Sequence, residues 1–357
     1  MPCPDEVVRE AGAAELVRQL RAAERHGPQI PLSASIDWSA RCNLRCRHCF
    51  IREGEGAPAA MSTAEVKRAH ERLAEGGVLF LVITGGEPCL RADFRELYAH
   101  AKSCGFVLTL FTNAVLIDDA TADFLAARPP RRIEATIYGH SEDVYEAVTG
   151  APGSFRRFRE GVARLLARGL RVRLKAMLMT LNAHEFEAME AWARSLDCDF
   201  RYDAVVHARL DGDRGPTAYR IPPAEIARLQ FARGPDKQEF LAYIRGLGPE
   251  LPARERLLEC GAGLMTMHVD EHGRAHPCML WRRDPYDLLA RPLGEGWVRH
   301  ASVVRRRPAP DGECARCRDR GLCGCCAPLA LLETGQPCNA SPFYCQLAAE
   351  RKRQCRL

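Results

Sequence analysis

Between Leu32 and His207 the chain alternates short β-type runs with amphipathic helical patterns, a rhythm that few folds accommodate. Strands are expected at Leu32–Trp38, Val78–Thr84, Phe106–Thr112, Arg132–Tyr138, Arg171–Met179 and Phe200–His207. Ser62–Gly76 reads as a helix. Ser62 and Glu65 make a capping box, Val66, Ala69 and Leu73 form an apolar stripe, and Gly76-Gly77 ends it. Asp93–Cys104 and Ser154–Arg168 repeat the pattern, each followed by a glycine. Strands that alternate with helices pair in parallel through right-handed crossovers. About six units fit, fewer than the eight of a closed barrel, so the expected fold is α/β, a partial (β/α)6 TIM-like barrel.

The later strands carry a second message. In Arg132–Tyr138, Ile133, Ala135 and Ile137 oppose Glu134, Thr136 and Tyr138. In Arg171–Met179, Arg173 and Lys175 oppose Val172, Leu174 and Ala176, and in Phe200–His207, Arg201, Asp203 and His207 oppose Tyr202, Ala204 and Val206. Parallel strands covered by helices are normally apolar on both faces. Three successive polar faces therefore predict a lined cavity, with Lys175, Arg201 and Asp203 as candidate cavity residues.

Cysteine is the unusual component. The N-terminus has acidic residues where a signal peptide would be basic, and no apolar run approaches the roughly 18 residues of a membrane span. A cytoplasmic protein is expected, and 17 cysteines there point to metal, not disulfides. Three of them, Cys42, Cys46 and Cys49, form a C-x3-C-x2-C triplet just after the first strand. Zinc sites usually take cysteines in pairs, which this spacing fits poorly. Three thiolates can hold three corners of a cubane cluster and leave one iron open. Net charge is only +5 and is spread along the chain, so nucleic acid is not suggested; Arg305, Arg306 and Arg307 read as a solvated loop.

The stretch "CNLRCRHC" resembles the cluster loop of radical S-adenosylmethionine (SAM) enzymes, and "TGGEP" at Thr84–Pro88 resembles their cofactor-binding segment at the next strand end. The resemblance implies a [4Fe-4S] cluster on Cys42, Cys46 and Cys49, whose open iron is chelated by SAM. It places Gly85, Gly86 and Glu87 near the methionine moiety, Thr136 near the ribose and His48 near the adenine; Asn113 and Asn182 lie at other strand ends. Two adjacent glycines suit such a site because they let the backbone approach a ligand closely.

The C-terminal cysteines resemble the SPASM extension of that family, which holds auxiliary iron–sulfur clusters. The resemblance implies that Cys260, Cys278 and Cys326 serve one cluster, one ligand short unless Cys325 or Cys338 completes it. It assigns Cys314, Cys317, Cys323 and Cys345 to another, giving one or two auxiliary clusters in all. A structural zinc pair is the alternative for this region. The expected organisation is a helical extension over 1–30 containing a helix at Asp5–Glu24, a radical SAM core over 31–210, a helical bridge over 211–258 and a small cysteine-rich SPASM-type domain over 259–357.

The implied activity is reductive cleavage of SAM to a 5′-deoxyadenosyl radical that abstracts hydrogen from a substrate. The expected substrate is a ribosomally made peptide or protein, with a small flavodoxin or ferredoxin as electron donor. Met279 stands where sulfatase-maturing members carry an aspartate, which argues against that activity. The stretch before the first strand is too short for a leader-binding domain, so a precursor peptide is expected to add to a strand edge or to come with a partner protein. Modification of a tetrapyrrole side chain is the second reading, and a non-catalytic zinc module the alternative from another class.

Overall fold

Leu81 and Ile83 in one strand, and Leu108 and Leu110 in the next, have no exposed surface, whereas Phe80, Val82 and Phe111 between or beside them are only partly covered. That period of two builds a sheet with one helix-covered face. A computed structural model describes residues 31–51, 59–232, 234–247, 256–304 and 312–355. The expected extension 1–30 with its helix, and Arg305–Arg307, lie outside the described residues.

Six parallel strands match the six expected: β1 (Ser33–Asp37), β2 (Phe80–Thr84), β3 (Val107–Thr112), β4 (Arg132–Ile137), β5 (Val172–Met177) and β6 (Asp199–Asp203). Helices α1 (Thr63–Glu75), α2 (Phe94–Ser103), α3 (Asp119–Ala127), α4 (Glu142–Thr149), α5 (Ser154–Ala167) and α6 (Phe186–Ser195) connect them. Helix α1 starts at the expected capping box, with Ser62 and Glu65 each bonding the other's backbone. Val66 and Leu73 of α1, Leu97 and Tyr98 of α2, and Phe158 and Leu165 of α5 pack on Ile36, Leu81, Leu110, Ile133 and Leu174. Each such side chain, fully buried, contributes about 1.5–3 kcal/mol.

The sheet does not stop at β1. Strand β7 (Thr266–Val269) pairs with it in parallel, Ser35 opposite His268, and β8 (Arg274–His276) and β9 (Tyr286–Asp287) follow in antiparallel. The order is β6-β5-β4-β3-β2-β1-β7-β8-β9. Sequence periodicity misses these three strands, because four, three and two residues are too few to show a period. The remaining helices are α7 (Pro223–Phe231), α8 (Gly234–Leu247), α9 (Leu293–Val304), α10 (Arg320–Cys323), α11 (Ala327–Thr334) and α12 (Pro342–Cys355). Helix α12 packs against α7 and α10. Arg220 ties the two ends together: it reaches the Val206 carbonyl, pairs with buried Glu333 of α11, and lies over the Phe343 ring. No helix among the described residues is long and apolar enough to cross a membrane.

Candidate active site

The cysteine loop leaves β1 and is held on both sides by backbone. On one side the glycine segment after β2 clamps it. The Gly86 N–H donates to the Ser39 carbonyl at 2.7 Å and the Glu87 N–H to the Arg41 carbonyl at 2.9 Å. A Cβ on Gly86 would lie 2.1 Å from the Arg41 oxygen, and one on Gly85, where φ is +123°, would lie 2.3 Å from the Ser39 oxygen. No side chain fits there, so the two glycines are needed for the loop itself. On the other side, the N–H groups of Arg45 and Arg47 donate to the Thr149 and Val148 carbonyls at the end of α4, at 2.8 and 3.0 Å.

Glu87 turns away from the loop and is buried. Its carboxylate accepts from the Thr112 hydroxyl (2.7 Å), the Asn113 N–H (2.7 Å) and the Cys89 N–H (3.1 Å), which locks the ends of β2 and β3 together. Burial raises its pKa, and these three donors work against that rise. Asn113 then reaches the cysteine loop: its amide donates to the Asn43 side chain at 2.9 Å and approaches the Cys42 sulfur at 3.6 Å. Cys42, Gly86, Glu87 and Asn113 thus form one connected unit.

Burial pushes the Cys42 thiol up to about 11 and Cys46 further, each raised again by the neighbouring cysteines. Three crowded thiols cannot all ionise unaided, whereas a bound metal deprotonates them outright. His48 follows Cys46 on the same loop, its ring 5.5 Å from that of Tyr138. Its Nδ1 is shut away from solvent without a partner among the described residues, and burial, with His207 nearby, lowers the ring to about 4. Sequence reasoning does not single out Tyr138; its position one residue past β4, on the polar face, is the available signal.

Thr136 is half-buried on the inward face of β4, opposite Lys175 of β5. Arg201 of β6 lies next to Lys175 in register, and Asp203 ends the strand opposite Met177. The Asn182 side chain accepts from the Met179 N–H and donates to the Tyr138 and Met177 carbonyls, so both its donors are spent on tying β4 to β5.

The C-terminal cysteines gather round a cavity of about 90 Å³ lined by Cys314, Cys317, Cys323, Cys325, Cys326 and Cys345. Cys326 lies on this wall together with the four cysteines expected of one cluster, and Cys325 with it. The next residue, Ala327, packs in an apolar group with Trp281 and Leu264 that also touches Cys278. Cys326 therefore stands between the cavity and the Cys278 region. Cys338 is buried behind, its carbonyl accepting from the Cys314 N–H at 2.9 Å.

Residues 36–195 match the family model of the radical SAM superfamily, a span that contains the cysteine loop and its glycine clamp. The chain is a radical SAM enzyme. It is 24% identical to an AdoMet-dependent heme synthase of Nitratidesulfovibrio vulgaris, over 93% of this chain and 98% of that one. It is 27% identical to mycofactocin maturase MftC of Mycolicibacterium smegmatis, over 89% of this chain and 83% of the relative. Its fold is that of Streptococcus suis SuiB, solved with the precursor peptide SuiA, at a TM-score of 0.68 and 19% identity, covering 97% of this chain and 82% of the other. The enzyme's cofactors are S-adenosylmethionine and a [4Fe-4S] cluster, and its cysteine-rich C-terminal region is of the SPASM, auxiliary-cluster kind. Non-catalytic zinc binding is therefore set aside.

The cysteine loop fits that cofactor pair. Its donors are three thiols of one loop, its backbone cradle excludes any Cβ, and the orphaned His48 nitrogen and Asn43 amide lie in the same loop.

Proposed function

We propose that the enzyme matures a ribosomally made peptide or protein in the cytoplasm, abstracting a hydrogen from an unactivated carbon. The observation that carries this reading is strand β6. It ends the sheet, pairs only with β5 among the described residues, and exposes Asp199, Arg201 and Asp203 beside the polar interior. No other strand among the described residues pairs with its outer edge, and strand addition there would carry alternate peptide side chains towards the interior. The resemblance to mycofactocin maturase supports the same class.

Cys42, Cys46 and Cys49 would hold the SAM-binding cluster. Gly85, Gly86 and Glu87 would border the methionine end, Thr136 the ribose, and His48 with Tyr138 the adenine. Cys314, Cys317, Cys323 and Cys345 would hold one auxiliary cluster, with Cys325 and Cys326 on the same wall. Cys260 and Cys278, with Cys326 between, would hold the other. Bound together, the cluster and SAM supply a primary-carbon radical; the chain's part is to orient the substrate carbon and keep water out. A small flavodoxin or ferredoxin would supply the electron.

The test is anaerobic reconstitution with dithionite, SAM and candidate precursor peptides. Formation of 5′-deoxyadenosine together with a loss of hydrogen mass from the peptide supports the reading. Cofactor cleavage that leaves the peptide mass unchanged overturns it. Tetrapyrrole side-chain modification is the second reading, favoured by the near end-to-end match to the heme synthase. Conversion of an iron tetrapyrrole under the same conditions would establish it.

A further inference from the structure

The inward face of β3, β4, β5 and β6 carries more positive than negative charge, and one cation is left over. The buried Glu134 carboxylate is already met by Arg201 at 2.8 Å, Arg132 at 3.4 Å and Arg173 at 3.7 Å. Arg173 is also paired to Asp199 at 3.1 Å. Four cations, counting Lys175, thus share Glu134 and Asp199; the third carboxylate of the face, Asp203, accepts from the Val205 N–H and makes no ion pair with them among the described residues.

Lys175 Nζ lies 3.4 Å from the centroid of the Phe111 ring and makes no ion pair or hydrogen bond among the described residues. The Arg201 guanidinium lies 6.0 Å from the same ring, and half of its side chain is exposed. The nearest other carboxylate on the cofactor side, Glu87, has its oxygens taken by three donors. An ammonium so placed is desolvated, and an aromatic face compensates only in part.

We propose that Lys175 and Arg201, with Phe111 as an apolar wall, form a subsite for a carboxylate of the substrate, borne on a short apolar arm such as a glutamate side chain. The arm lies on the ring and the carboxylate accepts from the lysine ammonium and from Arg201, whose exposed half is free to turn. Burial lowers the empty Lys175 to about 7, and an arriving carboxylate draws its proton back. Lys175 pairs with Thr136 two residues before the end of β5, one layer below the strand ends that carry the cofactor segment. A side chain anchored there is held beneath the site of hydrogen abstraction. This assignment rests on the peptide reading for its substrate class.

The probe is N-acetyl-glutamate amide, compared with the neutral N-acetyl-glutamine amide, on reconstituted and SAM-saturated but unreduced enzyme. Saturation-transfer NMR gives the affinity of each, and equilibrium dialysis gives the affinity for SAM. The acid probe should bind at least tenfold more tightly than the amide. Lys175→Met should remove that preference and Lys175→Arg restore most of it, with SAM affinity unchanged within twofold. Equal binding of the two probes overturns the subsite. So does a tenfold loss of SAM affinity in Lys175→Met with probe binding intact, which would assign the lysine to the cofactor's own carboxylate. Because the enzyme is never reduced, probe binding stands or falls independently of peptide turnover. Intact binding without peptide modification would sink the maturase reading alone.

Discussion

His268 and Asp37, 231 residues apart in the chain, meet through Nε2 and Oδ2 at 3.1 Å, and neither has appreciable exposed surface. The other nitrogen of His268 lies 2.9 Å from the Ser35 hydroxyl. Arg282 comes from the loop after Cys278 to within 3.4 Å of the same Asp37 oxygen and 3.6 Å of Asp270, which binds His276 at 2.9 Å. A polar seam thus runs between the barrel strand that leads into the cysteine loop and the loop that follows Cys278.

Removing His268 leaves Asp37 buried with Arg282, at 3.4 Å, as its remaining charged partner and strips the Ser35 hydroxyl of its contact. His268→Leu should therefore cost about 1–3 kcal/mol of stability. The double variant Asp37→Leu/His268→Leu should lose less than the sum of the single variants, with a coupling of about 0.5–3 kcal/mol. Anaerobic urea unfolding of the four proteins measures it; strict additivity would show that the pair is independent.

The glycine clamp makes a sharper prediction. Gly86→Ala must displace the Arg41 backbone, since the added carbon falls 2.1 Å from its oxygen. About four irons should be lost, the content of one cubane, together with SAM cleavage, while the auxiliary absorbance remains. At Gly246 of α8 an added Cβ would meet nothing within 4 Å, and the backbone is ordinary helix, so Gly246→Ala should leave iron content unchanged. Iron and sulfide analysis of the two variants decides the matter.

Acid should destabilise the fold well before the carboxylates titrate. His70 is fully buried, accepts the Trp38 indole N–H at 3.2 Å, and is lowered to about 3 by burial, with His100 adding to the effect. A histidine kept neutral in the fold protonates first in the unfolded chain. Its contribution is complete above about pH 6.5 and is lost as pH falls towards 3, at up to ~1.4 kcal/mol per pH unit. Between pH 6.5 and 5 this group alone accounts for about 2 kcal/mol. His70→Gln keeps an acceptor for the indole and should flatten the pH dependence of the unfolding midpoint by about one proton.

Arg220 carries the link between the barrel end and the C-terminal helices. Arg220→Met leaves Glu333 buried with only the Ser341 and Tyr344 hydroxyls as partners. A loss of about 3–5 kcal/mol is expected, concentrated in the C-terminal region. Hydrogen exchange should rise in α11 and α12 while α1 and α2 stay protected. Uniform exchange across both regions would contradict this.

The barrel is legible in the sequence because its strands are five or six residues long, alternate cleanly and are divided by capped helices, as at Ser62 and Glu65. The cysteine loop is legible because three thiols within eight residues leave little freedom. What stays hidden depends on contacts between distant residues. The sequence around His268 and His276 shows no period in strands of four and three residues, and nothing local pairs them with Ser35 and Asp270. Asn182 looks like a strand-end ligand because residue type and position cannot reveal that its amide is already spent on three backbone groups. Cys326 can be counted but not placed, since its position depends on how Ala327 packs into the apolar group that also touches Cys278.

The pairing of β7 with β1 has a consequence for synthesis. Strands β1 to β6 are all made by residue 203, but the strand that covers β1's second edge ends at Val269. At about 5–20 residues per second, the ribosome leaves that edge bare for several seconds or more. An uncovered parallel strand invites pairing with another chain. The nascent enzyme is thus most vulnerable until Val269 has emerged, and slow translation between Asp203 and β7 would divert it into aggregates.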